Sequence, residues 1–417
     1  MKIAVLSDCH LNKSIYKGVM DKENPTLPFR SADHMKAFDW AVNDVLENKQ
    51  ADLIVITGDI FDSFNPSNEV RAFLYKQISK IKETKTPIII LTGNHDVCRR
   101  NHALQGISDI AGNLVKVVDN PKILAFKDHT LLLFPYPMEV ERKQKTMRES
   151  FNDFVEDFHN KKEDIGDKPV IFFGHIGING AVKSRYISAK EKDFTQHVKP
   201  FFNNDAEDVG MAELDTIGAS YIFLGDYHEH QVLKTKSAYT MYAGSLEKTN
   251  MTEVNHDKGY IFYDTDHEED RRLGKARFIK YTSCREMIDL RGNYKDIEQA
   301  YSLFSESSEG SIIRLSFIGD NKELSEFSEN LDELKERIIK EINPIHIYHT
   351  QNVINAEEEE TASRIEEEIL SKGNVSKNEV LDVINAMLEE KDETKAEKKI
   401  LFELATDVYK EATQNED

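Results

Sequence analysis

Cysteine is scarce: Cys9, Cys98 and Cys284 are the only three in 417 residues, odd in number and far apart. A disulfide framework is therefore excluded as the basis of the fold, and a reducing compartment is favoured. No cysteine pair has the spacing of a structural zinc site. Long apolar runs are missing as well. The first apolar stretch, residues 1–7, is too short for a signal peptide or a membrane span and runs straight into polar residues. These absences predict a soluble, cytoplasmic protein that neither crosses nor anchors in a membrane. An excess of positive charge is also lacking, with 54 Lys and Arg against 75 Asp and Glu and a net charge of −21. That excludes coating nucleic acid by bulk charge, while leaving room for local basic patches. No repeat of solenoid type is present.

What is present is an alternation of short apolar runs with amphipathic stretches. Residues 2–7, 51–57 and 87–92 read as buried strands. They are separated by a helix carrying Met35, Phe38, Val42 and Val45 on one face and by a second helix around 69–83. Such alternation predicts parallel strands with crossover helices. Further on, 102–112 reads as helix, 114–118 and 130–135 as strands, and 141–162 as one charged helix. Strands follow at 168–173 and 217–224, and 240–244 and 259–264 read as strands of a second sheet. Beyond about residue 281, strand-like 311–318 and 344–348 flank a helix with Leu324, Phe327, Leu331, Leu334 and Ile338 on one face. From 355 the chain is acidic (Glu357–Glu360) and reads as helical, with Ser376 and Glu379 as a capping pair. At this length two or three domains are expected, placed at 1–280, 281–352 and 353–417.

The polar residues at the strand tips carry the chemistry. The first strand ends in Asp8-Cys9-His10, the second in Gly58-Asp59-Ile60-Phe61-Asp62 and the third in Gly93-Asn94-His95-Asp96. Two later strands end in Gly174-His175 and in Gly225-Asp226-Tyr227-His228, with His230 close behind. One polar residue at a strand end is ordinarily just a hydrogen-bonded turn. Several apolar strands that each end in Asp, His or Asn, most of them directly after Gly, are not explained by turn chemistry. Carboxylate, imidazole and amide oxygen are the ligands of borderline-hard divalent ions, Mn²⁺ or Fe²⁺ as much as Zn²⁺. Cys9 is turned away from the ligands by strand alternation. Asp59 is placed to bridge two ions, and two ions can clamp a phosphate and activate a water. His95, beside Asn94, is placed to donate a proton to a phosphoryl group. His34, His102, His129, His159, His197 and His256 have no such context.

Together, Asp8-x-His10, Gly58-Asp59-x-x-Asp62, Gly93-Asn94-His95-Asp96, Gly174-His175 and Gly225-Asp226-x-His228 resemble the calcineurin-like metallophosphoesterases. Their order and spacing resemble in particular the SbcD-type nuclease subunits of double-strand-break processing, and phage recombination nucleases are similar. The resemblance implies an α/β fold: a two-sheet metallophosphoesterase sandwich flanked by helices, then a small α+β capping domain and C-terminal helices. It implies one metal held by Asp8, His10, Asp59 and His228, and a second held by Asp59, Asn94, His175 and Asp226. His95 takes the catalytic histidine's place, and Asp62 helps to orient the groups around it. The ions implied are Mn²⁺, with Mg²⁺ as the alternative. The implied partners are DNA ends, an SbcC-type SMC-like ATPase docked on the acidic helices, and a second copy of the chain through the helices near 69–112. The chain departs from the family pattern at Asp226, where Gly-His-x-His is usual.

Three activities follow as expectations. The first is a metal-dependent DNA nuclease, a 3′→5′ double-strand exonuclease and single-strand endonuclease working beside the ATPase in repair, recombination or replication. The second keeps the fold with another substrate, as a phosphatase or non-DNA phosphodiesterase; the module after 280 and the tail argue against it. The third is a DNA-end-binding scaffold weakened by Asp226. Arg142, Lys143, Lys145 and Arg148 form a local basic cluster. Arg99 and Arg100 after the third tip, and Lys183, Arg185, Lys190 and Lys192 after His175, read either as solvated surface charge or as clusters that hold phosphates without sequence preference.

Overall fold

The computed structural model describes residues 1–16, 18–107, 112–187, 198–202, 208–266, 275–302 and 308–353. Those of 1–188, 195–288 and 310–312 form one compact unit, and those of 289–309 and 313–353 form another.

In the first unit, short runs of Ile, Val and Leu form β1 (Lys2–Leu6), β2 (Leu53–Ile56) and β3 (Ile88–Leu91), joined by α1 (Phe29–Asn43) and α2 (Asn68–Glu83). Ser67 caps α2 by accepting the Val70 N–H at 3.4 Å. β4 (Val115–Val118) pairs parallel with β3, and a hairpin of β5 (Lys122–Phe126) and β6 (His129–Phe134) follows. After α3 (Met147–Asn160) come β7 (Val170–His175), β8 (Tyr221–Gly225), β9 (Gln231–Leu233) and β10 (Tyr239–Tyr242). The unit closes with β11 (Gly259–Asp264) and β12 (Ala276–Lys280). Two six-stranded sheets result, in the orders β12-β11-β1-β2-β3-β4 and β9-β10-β8-β7-β6-β5.

Each sheet has four parallel strands at its heart, and alternation divides their residues between two layers. Ile3, Val5, Leu53, Val55, Ile89 and Leu91 point to the other sheet, where they meet Leu131, Leu133, Ile171, Phe173 and Phe223. Ala4, Leu6, Ile54, Ile56 and Ile90 point outward against Phe38 and Ala41 of α1 and Leu74 and Ile78 of α2. On the far side, Phe134, Phe172 and Ile222 pack under Phe151, Phe154 and Phe158 of α3. This unit is thus the expected helix-flanked sandwich. Both faces of each sheet are covered, which is why these strands read as unbroken apolar runs.

Several local expectations are corrected. β11 belongs to the first sheet, antiparallel to β1 with Lys2 opposite Asp264, rather than to the second sheet. The expected helix at 102–112 is corrected in its first part: His102 ends a two-residue strand, Asn101–His102, paired with Val97–Cys98, and 103–106 are turns, with Gly106 at φ +79°. Ile107 is helical, and 108–111 lie outside the described residues. The charged helix at 141–162 is split: Thr146 accepts the Glu149 N–H and begins α3 anew. The strand at 217–224 starts only at Tyr221, because Met211–Thr216 is helical and Gly218 turns the chain at φ +71°.

The second unit is α+β. β13 (Met287–Gly292), β14 (Ile312–Gly319) and β15 (His346–Val353) form a sheet with β14 in the centre. Two helices accompany it, α4 (Tyr294–Tyr301) and α5 (Asn321–Ile342). Asp320 caps α5 by accepting the Lys322 and Glu323 N–H groups at 2.8 Å each. Phe327, Leu331, Leu334 and Ile338 are its buried stripe. The readings made for 354–417, including the capping pair at Ser376 and Glu379, lie outside the described residues. Among the described residues no helix is long and apolar enough to cross a membrane.

Candidate metal centre

β1, β2 and β3 run parallel in one sheet and β7 and β8 run parallel in the other, and the polar residues that follow them converge. The loops are stitched together by main-chain bonds, from the Asp8 N–H to the Gly58 carbonyl at 3.2 Å and from the His10 N–H to the Asp59 carbonyl at 3.0 Å. Asp8, His10, Asp59 and Asp226 all have positive φ (48°, 45°, 52° and 101°). Each such residue costs roughly 1–3 kcal/mol, a cost that persists where surrounding structure enforces it.

Asp8, His10 and His228 form one group of close ligand atoms, and Asp8, Asp59 and His175 form another. His10 Nε2 and His228 Nε2 face each other at 3.1 Å. Behind His228, Nδ1 lies 2.9 Å from the Glu253 carboxylate; behind His10, Nδ1 lies 3.3 Å from Asp62 Oδ1. The Glu253 carboxylate favours a proton on His228 Nδ1, and the two Nε2 atoms either share one proton or, with none between them, turn both lone pairs to a cation. His175 repeats the arrangement. Its Nδ1 donates to the Thr57 carbonyl at 2.7 Å, and Nε2 faces only oxygens: Asn94 Oδ1 at 2.8 Å, Asp59 Oδ2 at 3.7 Å and Asp226 Oδ1 at 3.8 Å. Asp59 Oδ2 is also 3.9 Å from His10 Nε2, so it stands between the two groups.

The electrostatics agree. Burial, then the charges of Asp96 and Asp8, push the Asp59 carboxyl well above its usual range. Burial is also the main cause raising Asp226, with Asp8 adding to it. Burial lowers His10 to about 4, keeping it neutral and free to bind a metal. Burial opposes the His228 cation too, but there the Glu253 charge and hydrogen bond prevail and its pKa rises. Crowded carboxylates that resist ionising together, facing imidazole lone pairs, are suited to divalent cations.

His95 sits at the rim with 40% of its side chain exposed. Its Nδ1 donates to the Asp62 carbonyl at 2.8 Å, and its backbone N–H donates to Asp59 Oδ1 at 2.9 Å. The Asp62 carboxylate pairs with Lys13 at 2.7 Å. Although burial works against it, the bonds to His10 and Lys13 hold the Asp62 carboxyl well below the usual range. Asp96, to which the sequence analysis assigns no role, is buried and accepts the N–H groups of Gly93, Phe61 and Ile60 at 3.0, 3.1 and 3.3 Å. It ties the second tip to the third.

Sequence reasoning missed Lys13, Thr57, Thr249, Glu253 and Lys258. Each lies in a loop or beside a motif with no periodic or ligand pattern to single it out. His230 turns aside: Nδ1 bonds the Tyr242 carbonyl at 2.8 Å and its ring stacks on Phe278. Cys9 packs in the core beneath α1. Arg148 is committed to Glu213 and Lys145 to Asp153, so that basic cluster is largely self-paired. Arg142 lies over the Tyr136 ring. Lys183, Arg99 and Arg100 are exposed, while Lys190 and Lys192 lie outside the described residues.

The glycines before the ligands have a steric origin. A Cβ on Gly93 would fall 2.1 Å from Asp59 Oδ1 and 2.3 Å from the Asp59 nitrogen, and one on Gly58 would fall 2.2 Å from His175 Nδ1. Gly93→Ala is therefore expected to displace Asp59, costing about 1–3 kcal/mol of stability. Thermal unfolding alongside Mn²⁺ titration checks this, and unchanged binding would refute it.

The model of the calcineurin-like phosphoesterase family matches residues 1–230, more than half of the chain, and the chain belongs to that family. Within it, the chain is 26% identical over 311 residues to the SbcD subunit of nuclease SbcCD from Staphylococcus epidermidis, covering 72% of this chain and 74% of that protein. It is 24% identical over 258 residues to the Escherichia coli protein of the same name, covering 56% of this chain and 57% of that one. It is 24% identical over 308 residues to the DNA double-strand break repair protein Mre11 of Methanosarcina mazei, covering 72% of this chain but 44% of that protein. The match thus spans about half the length of the latter two relatives.

Proposed function

We propose that this phosphoesterase is a metal-dependent DNA nuclease acting on DNA ends, as a 3′→5′ double-strand exonuclease and single-strand endonuclease. The observation that carries the metal-dependent reading is the convergence of Asp8, His10 and His228 and of Asp8, Asp59 and His175, with the two Nε2 atoms of His10 and His228 3.1 Å apart. DNA as substrate is supported by the names of the relatives and by the separate α+β unit that follows the phosphoesterase. In this reading the chain works as a homodimer with an SbcC-type ATPase, in repair, recombination or replication.

Asp8, His10, Asp59 and His228 would hold one Mn²⁺ ion, and Asp59, Asn94, His175 and Asp226 the other. Two bound ions would neutralise phosphoryl oxygens and lower the pKa of an attacking water. The protein's own groups do the rest. With Nδ1 committed to the Asp62 carbonyl, His95 presents Nε2 at the open rim. From there it would donate a proton or hydrogen bond to the phosphoryl group as the bond to the leaving oxygen breaks. Asp62 holds both His10 and His95, one through its carboxylate and one through its carbonyl. The enclosed carboxylates and the apolar sandwich below keep bulk water from the floor of the site.

Asp226 favours a second reading. At φ +101°, in place of an expected imidazole, it would weaken turnover and leave a DNA-end-binding scaffold. The test is purified protein with end-labelled duplex DNA, with and without Mn²⁺, beside His95→Ala and Asp226→His. Mn²⁺-dependent shortening from the 3′ end, lost in His95→Ala, is the expected result. Inactive wild type with active Asp226→His would support the scaffold. Hydrolysis of a small phosphodiester with DNA untouched would place the substrate elsewhere.

A further inference from the structure

The two imidazoles that face each other are not held like the third. Behind His228 stands Glu253, and Lys258 Nζ lies 2.6 Å from Glu253 Oε2. The same ammonium donates to the His228 carbonyl at 2.9 Å and to Ser245 Oγ at 2.8 Å, so one buried lysine fixes both the ring's partner and the backbone of the ligand. Thr249 adds its N–H to Glu253 at 2.9 Å. Behind His10 stands Asp62, with Lys13 at 2.7 Å. Each histidine thus has a carboxylate behind it, hydrogen-bonded at His228 and at 3.3 Å from His10, and each carboxylate is paired with a lysine.

Among the described residues, His175 has the uncharged Thr57 carbonyl behind it and no carboxylate at Nδ1. Its neighbour Asp226 is held at a positive φ, with its side chain 26% exposed. A carboxylate behind a ligating imidazole fixes its tautomer and raises its basicity, and such partners change metal affinity by about 10–100-fold. In the two-metal reading Asp8 serves one position, Asp226 the other and Asp59 both, with Asp8 also in reach of the group of Asp59 and His175.

The geometry points to two carboxylate–lysine dyads, Asp62–Lys13 and Glu253–Lys258, that lock His10 and His228 and make the position between them the tighter metal position, filled first. These are positioning residues, and the inference rests on the two-metal reading proposed above.

The test is titration of the metal-free full chain with Mn²⁺, reading free ion by its electron paramagnetic resonance signal and heat by calorimetry. Wild type should bind in two steps separated by about tenfold or more, and Glu253→Gln/Lys258→Met should weaken the tighter step by about 10–100-fold while moving the weaker one less than about threefold. Removing both charges together avoids stranding a buried lysine. If that variant does not fold, as judged by circular dichroism, Asp62→Asn decides. Its side chain is partly exposed, its carbonyl to His95 is kept, and it should weaken the same step by about tenfold. Two equal steps in wild type, an unmoved tighter step in the folded variants, or loss of the tighter step in Asp226→Asn would overturn the assignment. A wild-type protein that binds no Mn²⁺ at all would instead overturn the functional reading beneath it.

Discussion

In EDTA, Asp59→Asn is expected to unfold at a higher temperature than the wild-type protein, and in excess Mn²⁺ the order should reverse. Asp59 is buried beside Asp96 and Asp8, and its carboxyl is pushed well above the usual range by burial first and those charges second. Without metal its ionised form is a liability at neutral pH. The amide of Asn keeps the oxygen that accepts the His95 N–H at 2.9 Å, so the loop geometry survives while the charge goes. The gain should be on the order of a few degrees for a unit of this size. With metal the balance inverts, because Asp59 Oδ2 stands 3.7 Å from His175 Nε2 and 3.9 Å from His10 Nε2 and so serves both groups. A ligand at 100 times its Kd stabilises by about 2.7 kcal/mol, and the variant forfeits most of that. The pH dependence has a definite sign. The unfolded carboxyl ionises near 3.9, and the folded one ionises higher. The metal-free native state therefore holds the extra proton in that window, and stability falls as pH rises through it. Scanning calorimetry across pH in EDTA should show this slope in wild type and a flatter one in Asp59→Asn. The same order of melting temperatures in both media would show that Asp59 does not serve two ions.

His95→Ala should lower turnover by about 10²–10⁴, the range for loss of a positioned proton donor, while leaving Mn²⁺ affinity within a few-fold of wild type. The separation follows from geometry. What His95 contributes to the group of Asp8, Asp59 and His175 is its backbone N–H to Asp59, and alanine keeps that bond. What it contributes to the rim is the imidazole, held by the Asp62 carbonyl. Single-turnover cleavage of labelled DNA together with metal content decides the matter. Loss of metal along with activity would recast His95 as a ligand.

The strand tips are legible in the sequence because two rules coincide there. An unbroken apolar run such as residues 88–91 announces a strand covered on both faces, and the first polar residues after it must lie at its end. What cannot be read is the set of partners that only tertiary contact supplies. Glu253 and Lys258 sit in a stretch without periodicity, and only its docking beneath His228 gives them work. β11 reads as an apolar run buried on both faces, and nothing local says which sheet it joins. The hairpin strand β5 escapes sequence reading because Lys122–Phe126 is short and half exposed. The start of the 102–112 helix fails for a local reason, the turns at 103–106 with φ +79° at Gly106. The glycines before Asp59, Asn94, His175 and Asp226 stand out as a pattern, but their cause needs coordinates: His175 and Asp59 fill the Cβ space at Gly58 and Gly93, Phe172 that at Gly174, and Ser7 and the Thr57 carbonyl that at Gly225.

The pairing of β11 with β1 bears on how the protein is made. β1 leads into the first two tip residues, yet one of its two edges is filled only by residues 261–264. At a synthesis rate of about 5–20 residues per second, that edge waits on the order of tens of seconds on the ribosome. During that interval the nascent chain displays an unpaired, largely apolar strand, the kind of edge that recruits foreign strands. A nonsense codon or stalled ribosome between the codons for His228 and those for β11 would release a fragment that has every tip motif in its sequence but an incomplete first sheet to hold them, a substrate for chaperones and proteases rather than a phosphoesterase.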